Sequence, residues 1–293
     1  MNLPEFIYTV ILRPKPLKAL ANAAIRHLIP PQLRVNGSTV VLNPNDPVVS
    51  GALTAGVYEK PETAFFLEAC QPGMTFLDVG ANVGYYTALA IPRLGMGRII
   101  ALEPDPESFR YLQQTVAANG RSNTICLQKG AAAEKGTLML FASDSNRGDN
   151  RLYANEFPGT KTQVEVTTID GLLKELQIPS LDLVKIDVQG FEGHVLRGME
   201  TTLRQRGRLV MLMEFWPFGL KSAGTSAEEV LERLERAGLQ LFELTAKGML
   251  IPLVDKQDIV ARHPGRRYTN IVAYRGDGPP PRLQKKESES ARQ

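Results

Sequence analysis

Residues 75–87 read Thr-Phe-Leu-Asp-Val-Gly-Ala-Asn-Val-Gly-Tyr-Tyr-Thr, an apolar run that passes through two glycines into helical spacing and carries one acid, Asp78. Gly80 and Gly84 let a ligand come close to the backbone, and a helix starting near Tyr85 offers N–H groups beside a positive dipole end. The spacing Gly80-x-x-x-Gly84, with Ala81 and Asn82 inside it, departs from the G-x-G-x-x-G of dinucleotide folds. It suits S-adenosylmethionine, whose amino-acid end carries a carboxylate for the bare amides and an ammonium for Asp78, partly through water. Nineteen residues past Gly84, Leu102-Glu103-Pro104-Asp105 closes the next apolar run. An acid at that strand edge can accept both ribose hydroxyls, which points to Glu103 with Pro104 and Asp105 beside it. The small residues of 127–133, Ala131 among them, suit a flat adenine against backbone, and a tight turn accounts for them equally well.

Further acids follow at the same edge. Residues 182–192 read Asp-Leu-Val-Lys-Ile-Asp-Val-Gln-Gly-Phe-Glu, which sets Lys185 and Asp187 on one face of an otherwise apolar strand, where charges must be paired. One reading is a structural ion pair of Lys185 with an acid. The other puts Asp187 at the strand's carboxyl end, against cofactor and acceptor together, because doubly wound sheets bind ligands there. Glu192 begins a helix, where an acid is favourable in any case. Glu214 ends the next apolar run, so Asp187 and Glu214 both address the acceptor. Two carboxylates at adjacent strand ends resemble metal-dependent catechol methyltransferases, but the sequence offers no further oxygen ligands for a divalent ion, and no metal is expected. Trp216, the sole tryptophan, either walls the acceptor pocket or closes the core. A sulfonium already activates its methyl group, so the main task is in-line placement of a nucleophile about 3 Å away. For an aliphatic hydroxyl a base within reach helps, with Asp187 first and His194 second.

The stretches 78–84 (Asp-Val-Gly-Ala-Asn-Val-Gly), 102–105 (Leu-Glu-Pro-Asp) and above all 182–192 resemble the FkbM family of methyltransferases, with the similarity covering about residues 51–275. The family's usual last motif is K-I-D-V-E-G-x-E, so Gln189 is a departure. The resemblance implies methylation of a hydroxyl, with oxygen as the accepting atom, on a small molecule, sugar or natural product. It also gives meaning to Tyr58 and Glu59 in a G-x-Y-E element and to Asn150 and Arg151 in Gly-Asp-Asn-Arg-Leu, all near the cofactor or acceptor mouth. A helix cap, a packed ring, a turn and a surface arginine account for these four as well.

The elements that would position these residues alternate. Strands are expected at about 74–79, 98–103, 123–128, 181–187, 208–214, 239–244 and 269–275, with helices near 61–70, 84–94, 106–119, 169–177, 191–205 and 225–237. The alternation predicts an α/β fold: a doubly wound, mostly parallel seven-stranded sheet of Rossmann-like methyltransferase type, spanning 61–275. Ahead of it, residues 1–60 are read as a helix at 16–28 and a hairpin about Asn36-Gly37. An insertion at 136–168, β then the polar loop 143–150 then β, is a candidate lid or acceptor wall. Residues 276–293 lack periodicity and are expected to be disordered.

Composition excludes other classes. With 293 residues, 43% hydrophobic and 22% charged, the chain is ordinary globular protein, and its net charge of +3 comes from scattered rather than clustered bases, so no nucleic acid is implied. No apolar run reaches the roughly 20 residues of a membrane span, and the N-terminus lacks the pattern of a signal peptide. Cys70 and Cys126 sit apart in apolar runs, the usage of a reduced, cytoplasmic chain. The partner is then a small-molecule or sugar acceptor; sequence does not fix the oligomeric state. A noncatalytic S-adenosylmethionine-binding protein and an NAD-linked oxidoreductase are the alternatives, the second disfavoured by the missing G-x-G-x-x-G.

Overall fold

Asn36 and Gly37 take φ of 48° and 87°, the left-handed turn that a tight hairpin requires. They join β1 (Gln32–Val35) to β2 (Ser38–Val41) in antiparallel register. The computed structural model describes residues 26–120, 123–143, 146–154, 159–277 and 280. The helix expected at 16–28 lies outside these except for 26–28, which are helical, and so does the tail apart from 276, 277 and 280. The hairpin is docked on two helices: Ser38 Oγ donates to the Ala88 carbonyl (2.7 Å), and the Val41 N–H donates to Thr115 Oγ1 (3.0 Å).

The alternating pattern then produces β3 (Thr75–Val79), β4 (Arg98–Leu102), β5 (Thr124–Leu127), the short β6 (Gly130–Ala131), β7 (Gly136–Ser143), β8 (Gly159–Thr167), β9 (Leu183–Ile186), β10 (Leu209–Phe215), β11 (Gln240–Leu244), β12 (Leu250–Pro252) and β13 (Thr269–Arg275). The main sheet has the order β12-β11-β13-β10-β9-β3-β4-β5. Its β10-β9-β3-β4-β5 half is parallel, whereas β13 runs antiparallel between β10 and β11. The sheet is the expected doubly wound one with one addition, the edge strand β12.

Side-chain alternation assigns the two faces. Leu77, Val79, Val184, Ile186, Met211 and Met213 face one apolar cluster, while Phe76, Leu183, Val210 and Leu212 face another with Tyr85, Tyr86 and Leu89. Asp78, Lys185 and Glu214 occupy the second face by the same period of two. The order in which strands are added reverses at β3, since β4 and β5 lie to one side of it and β9, reached later and parallel to it, to the other. Such a switch point opens a crevice at the carboxyl ends of the strands.

Three short helices, Val49–Thr54, Pro217–Ser222 and Lys256–Arg262, add to the expected elements, and two of the expected ones differ. The helix expected at 191–205 is two, Glu192–Arg197 and Glu200–Arg204. It breaks because Gly198 packs against the Ala132 carbonyl, where a Cβ would come within 2.0 Å, and because the Asp170 carboxylate accepts the N–H groups of Thr201 (2.8 Å) and Thr202 (2.9 Å). The insertion is a three-stranded sheet of its own, β6-β8-β7, in which β6 leaves the end of β5 to pair with β8. Among the described residues no helix is long and apolar enough to cross a membrane.

Candidate active site

The glycine turn is built by close approach. Leu102 O accepts the N–H groups of both Gly80 and Ala81 (3.0 Å each), and a Cβ on Gly80, whose φ is 81°, would stand 2.0 Å from the carbonyl oxygen of Asp187. Gly80→Ala is therefore expected to cost about 3 kcal/mol or more, from combined strain and clash. Gly73→Ala, at a similar φ of 83° but with open space around it, should cost only about 1–2 kcal/mol. Urea denaturation of the two variants compares them directly. Gly84 (φ 84°) caps the helix Tyr85–Leu94, and a Cβ there would meet Leu112 at 2.8 Å, so it serves helix packing.

A cavity of about 270 Å³ lies at the switch point. Gly80, Ala81, Asn82 and Tyr85 line its floor, Glu103 and Pro104 one side, Gly130 and Ala131 the far end, and Tyr58, Glu59, Asp187 and Glu214 the near end. Asn146, Arg147, Gly148 and Asn150 of the insertion form its roof. Arg147 pins that roof to the helix beyond β4, pairing with Asp105 (3.4 Å) and Glu107 (2.7 Å).

Glu103 is 6% exposed, with Oε2 accepting the Asn82 N–H (2.8 Å) and Oε1 the Asp105 N–H (2.9 Å). Burial nevertheless pushes its carboxyl up to about 8, with the neighbouring charge of Asp105 adding to the rise. A pair of ribose hydroxyls donates best to the ionised carboxylate, so such a ligand favours loss of that proton. The sign follows: affinity for S-adenosylhomocysteine rises with pH up to about 8, by up to about tenfold per unit, with proton release on binding. Calorimetry at pH 6.5, 7.5 and 8.5 in buffers of different ionisation enthalpy measures both, and adenosine isolates the ribose contribution.

The near end is a chain of charges. Lys185, 6% exposed, donates from Nζ to Asp187 Oδ2 (2.9 Å) and lies 4.5 Å from the centre of the Tyr86 ring. Burial opposes its charge, but Asp187, Glu59 and Asp78 together hold its titration above the ordinary lysine value. Glu59, aimed inward by a left-handed backbone (φ 37°), accepts the Tyr86 hydroxyl proton at 2.6 Å. Gln189, also left-handed (φ 55°), donates from Nε2 to Asp187 Oδ1 (3.1 Å) and Glu214 Oε1 (3.4 Å). Glu192 closes this loop by accepting the N–H groups of Val188 and Gly190 (3.2 Å each). Glu214 is 8% exposed and its Oε2 has no partner among the described residues; burial first, then the charges of Asp187 and Glu192, raise its titration well above the ordinary carboxyl range.

Several residues singled out in the sequence lie away from the cavity. Asp78 sits behind the floor, 1% exposed, accepting the Thr87 hydroxyl proton (2.7 Å) in register with Lys185, so its carboxyl balances that lysine instead of meeting a ligand. Burial lifts it to about 6. Asp105 caps the helix Pro106–Ala118 through the Ser108 N–H (3.1 Å) and holds Arg147. His194 stacks on Phe191 (4.2 Å between centroids) and donates to the Ala223 carbonyl (2.8 Å), which removes it from the position of a base. Arg151 pairs with Asp149 and lies 4.8 Å above the Trp216 ring, whose Nε1 donates to Gly265 (2.7 Å); both brace the insertion from behind. Conversely, Arg147, Tyr86 and Tyr268 belong to the site without having been read from sequence. For Gln189 there was a signal, its departure from the family's Glu.

A doubly wound sheet with a glycine turn at its switch point and an acid closing the next strand is the architecture of a nucleoside-binding α/β protein, here one that uses S-adenosylmethionine. The chain belongs to the FkbM family of methyltransferases: the model of the methyltransferase FkbM domain matches residues 78–241, more than half of the chain. Among curated relatives, methyltransferase sdnD of Sordaria araneosa is 27% identical over 175 residues, 50% of this chain and 68% of that one. The hexuronic acid methyltransferase AglP of Haloferax volcanii is 23% identical over 181 residues, 62% of this chain and 70% of that one. Among solved structures, the precorrin-6y C5,15-methyltransferase of Geobacter metallireducens aligns with a TM-score of 0.42 at 16% identity, covering 74% of this chain and 90% of that one.

The cavity fits this cofactor on its own chemistry. Asn82 Oδ1, Asn146 Oδ1, Asn150 Nδ2 and Glu214 Oε2 are buried in its walls without a partner among the described residues, the signature of a site shaped for a polar ligand. At the far end, Gly130 is packed by the Leu152 and Val166 side chains, which a Cβ there would meet at 2.8 Å and 3.1 Å.

Proposed function

We propose that this protein transfers a methyl group to a hydroxyl oxygen of a small polar molecule, such as a sugar or a natural product. The observation that carries the reading is the unpartnered Oε2 of Glu214 beside Asp187, in the cavity whose other wall holds Glu103. S-adenosylmethionine, when bound, supplies a methyl carbon already activated by its sulfonium. Glu103 would hold the ribose, the amides of Gly80, Ala81 and Asn82 the amino-acid carboxylate, and Gly130 with Ala131 the adenine face. Asp187 and Glu59 stand at the end where the ammonium belongs. Glu214 then takes the proton of the acceptor hydroxyl as the oxygen–carbon bond forms. Asp187, with Lys185 on one oxygen and Gln189 on the other, orients that carboxylate through the shared Gln189 amide.

Incubating the protein with methyl-labelled S-adenosylmethionine and a panel of polyols and glycosides, then locating the label by NMR, tests the reading. Label on an ether oxygen is the expected product. Label only on nitrogen, carbon or a carboxyl ester would refute hydroxyl methylation.

A further inference from the structure

A second cavity of about 630 Å³ lies beside the first, and Glu59 and Tyr268 line both. Its walls come from the start of the helix Lys60–Ala69 and from the facing ends of β11 and β13. They are polar and fixed: Asn270 donates to Glu62 Oε1 (2.8 Å), while Glu243 is held by Arg262 (2.8 Å), His263 (3.1 Å) and the Thr269 hydroxyl (3.1 Å). Tyr268, 60% exposed, lines both cavities.

The geometry points to this second cavity as the binding site of the methyl acceptor, and to an acceptor rich in hydroxyls that carries no carboxylate or phosphate. The inference rests on the methyl-transfer reading above. With the cofactor's groups assigned to the inner cavity, the junction at Glu59 and Tyr268 is where an acceptor hydroxyl can reach Glu214 while its body stays in the outer cavity. Around that junction stand Glu59, Glu62, Asp187 and Glu214. Two lysines stand near them: Lys185, already bound to Asp187, and Lys60, an exposed residue in the wall of the outer cavity, where the acids outnumber it. Burial lifts the titration of Glu59, Glu62 and Glu214, and the charge of Asp187 lifts it further against the opposing charge of Lys185, so like charges stand here in close quarters. An entering anion would add to that repulsion. A hydroxyl, by contrast, donates to a carboxyl oxygen, and the Asn270 amide offers polar recognition alongside. Discrimination here comes from rejecting the wrong charge as much as from gripping the right shape.

Saturation-transfer NMR on the full chain, with S-adenosylhomocysteine at saturation, compares methyl glucoside, methyl glucosaminide and methyl glucuronide as probes. The glucoside and glucosaminide are expected to bind, and the glucuronide about tenfold more weakly. Glu62→Gln should narrow that gap while leaving the affinity for S-adenosylhomocysteine unchanged. Glucuronide binding as tightly as the glucoside, or none of the three binding while S-adenosylhomocysteine still binds, overturns the acceptor assignment and leaves methyl transfer standing. Absence of S-adenosylhomocysteine binding overturns methyl transfer itself, and this inference with it.

Discussion

Glu214→Gln is expected to lower turnover by about a hundredfold to ten-thousandfold while leaving the affinity for S-adenosylhomocysteine within about twofold. The substitution keeps the size of the side chain and leaves an oxygen to accept the Gln189 amide, so packing and tether survive. What it removes is the capacity of the buried carboxylate to take a proton. The wild-type pH profile carries the complementary signature. Burial and the charges of Asp187 and Glu192 raise the titration of Glu214, and a base works only when deprotonated, so the rate climbs as pH rises through that shifted titration. The Gln variant loses the climb. Asp187→Asn should also stop turnover with cofactor binding still measurable, since it frees Lys185 from its partner and weakens the Gln189 bridge. Unchanged turnover in Glu214→Gln would take the proton-accepting role away from this residue.

The second large effect is on cofactor binding. Glu103→Gln should weaken S-adenosylhomocysteine binding by about a hundredfold or more, because two charge-assisted hydrogen bonds are each worth about 1.5–3 kcal/mol. It has a structural cost too. Gln has one oxygen where Glu103 uses two, for the Asn82 and Asp105 amides, so one buried N–H loses its acceptor and the melting temperature falls. Glu103→Asp keeps the charge but withdraws it by one methylene, and should fall between Gln and wild type in affinity. Calorimetry alongside thermal melts separates the ligand effect from the folding effect, and a Gln variant that melts normally yet binds normally would dismiss Glu103 as a ribose ligand.

Much of this arrangement was legible in residues 75–105 because local chemistry there is dictated locally. A strand that turns through Gly80 and starts a helix at Tyr85 needs little help from elsewhere, and Glu103 closes the strand paired next to it. The parallel strands were legible for a related reason: burial on both faces leaves unbroken apolar runs such as 209–213. Asp78 was harder. Its place on the strand was clear, but its partner Lys185 is brought alongside only by the β3–β9 register, and that long-range pairing turns it into a buried counter-charge. The same limit applies to Asp105 and His194, whose polar atoms are engaged by Arg147 and Ala223, residues distant in sequence. Gln189 shows the opposite case, a single-position departure whose consequence, an amide bridging two acids, needs the β9 and β10 ends side by side. The strand β12 was missed because Leu250–Pro252 is too short to carry a period.

Methyl transfer here requires that the crevice at β3, β4 and β9 hold S-adenosylmethionine, and calorimetric titration of the full chain with S-adenosylhomocysteine and with NAD measures that directly. Tight one-to-one binding of S-adenosylhomocysteine, lost in Glu103→Gln, and no heat from NAD are the expected results. Binding of NAD in its place, or of neither ligand, would contradict methyl transfer.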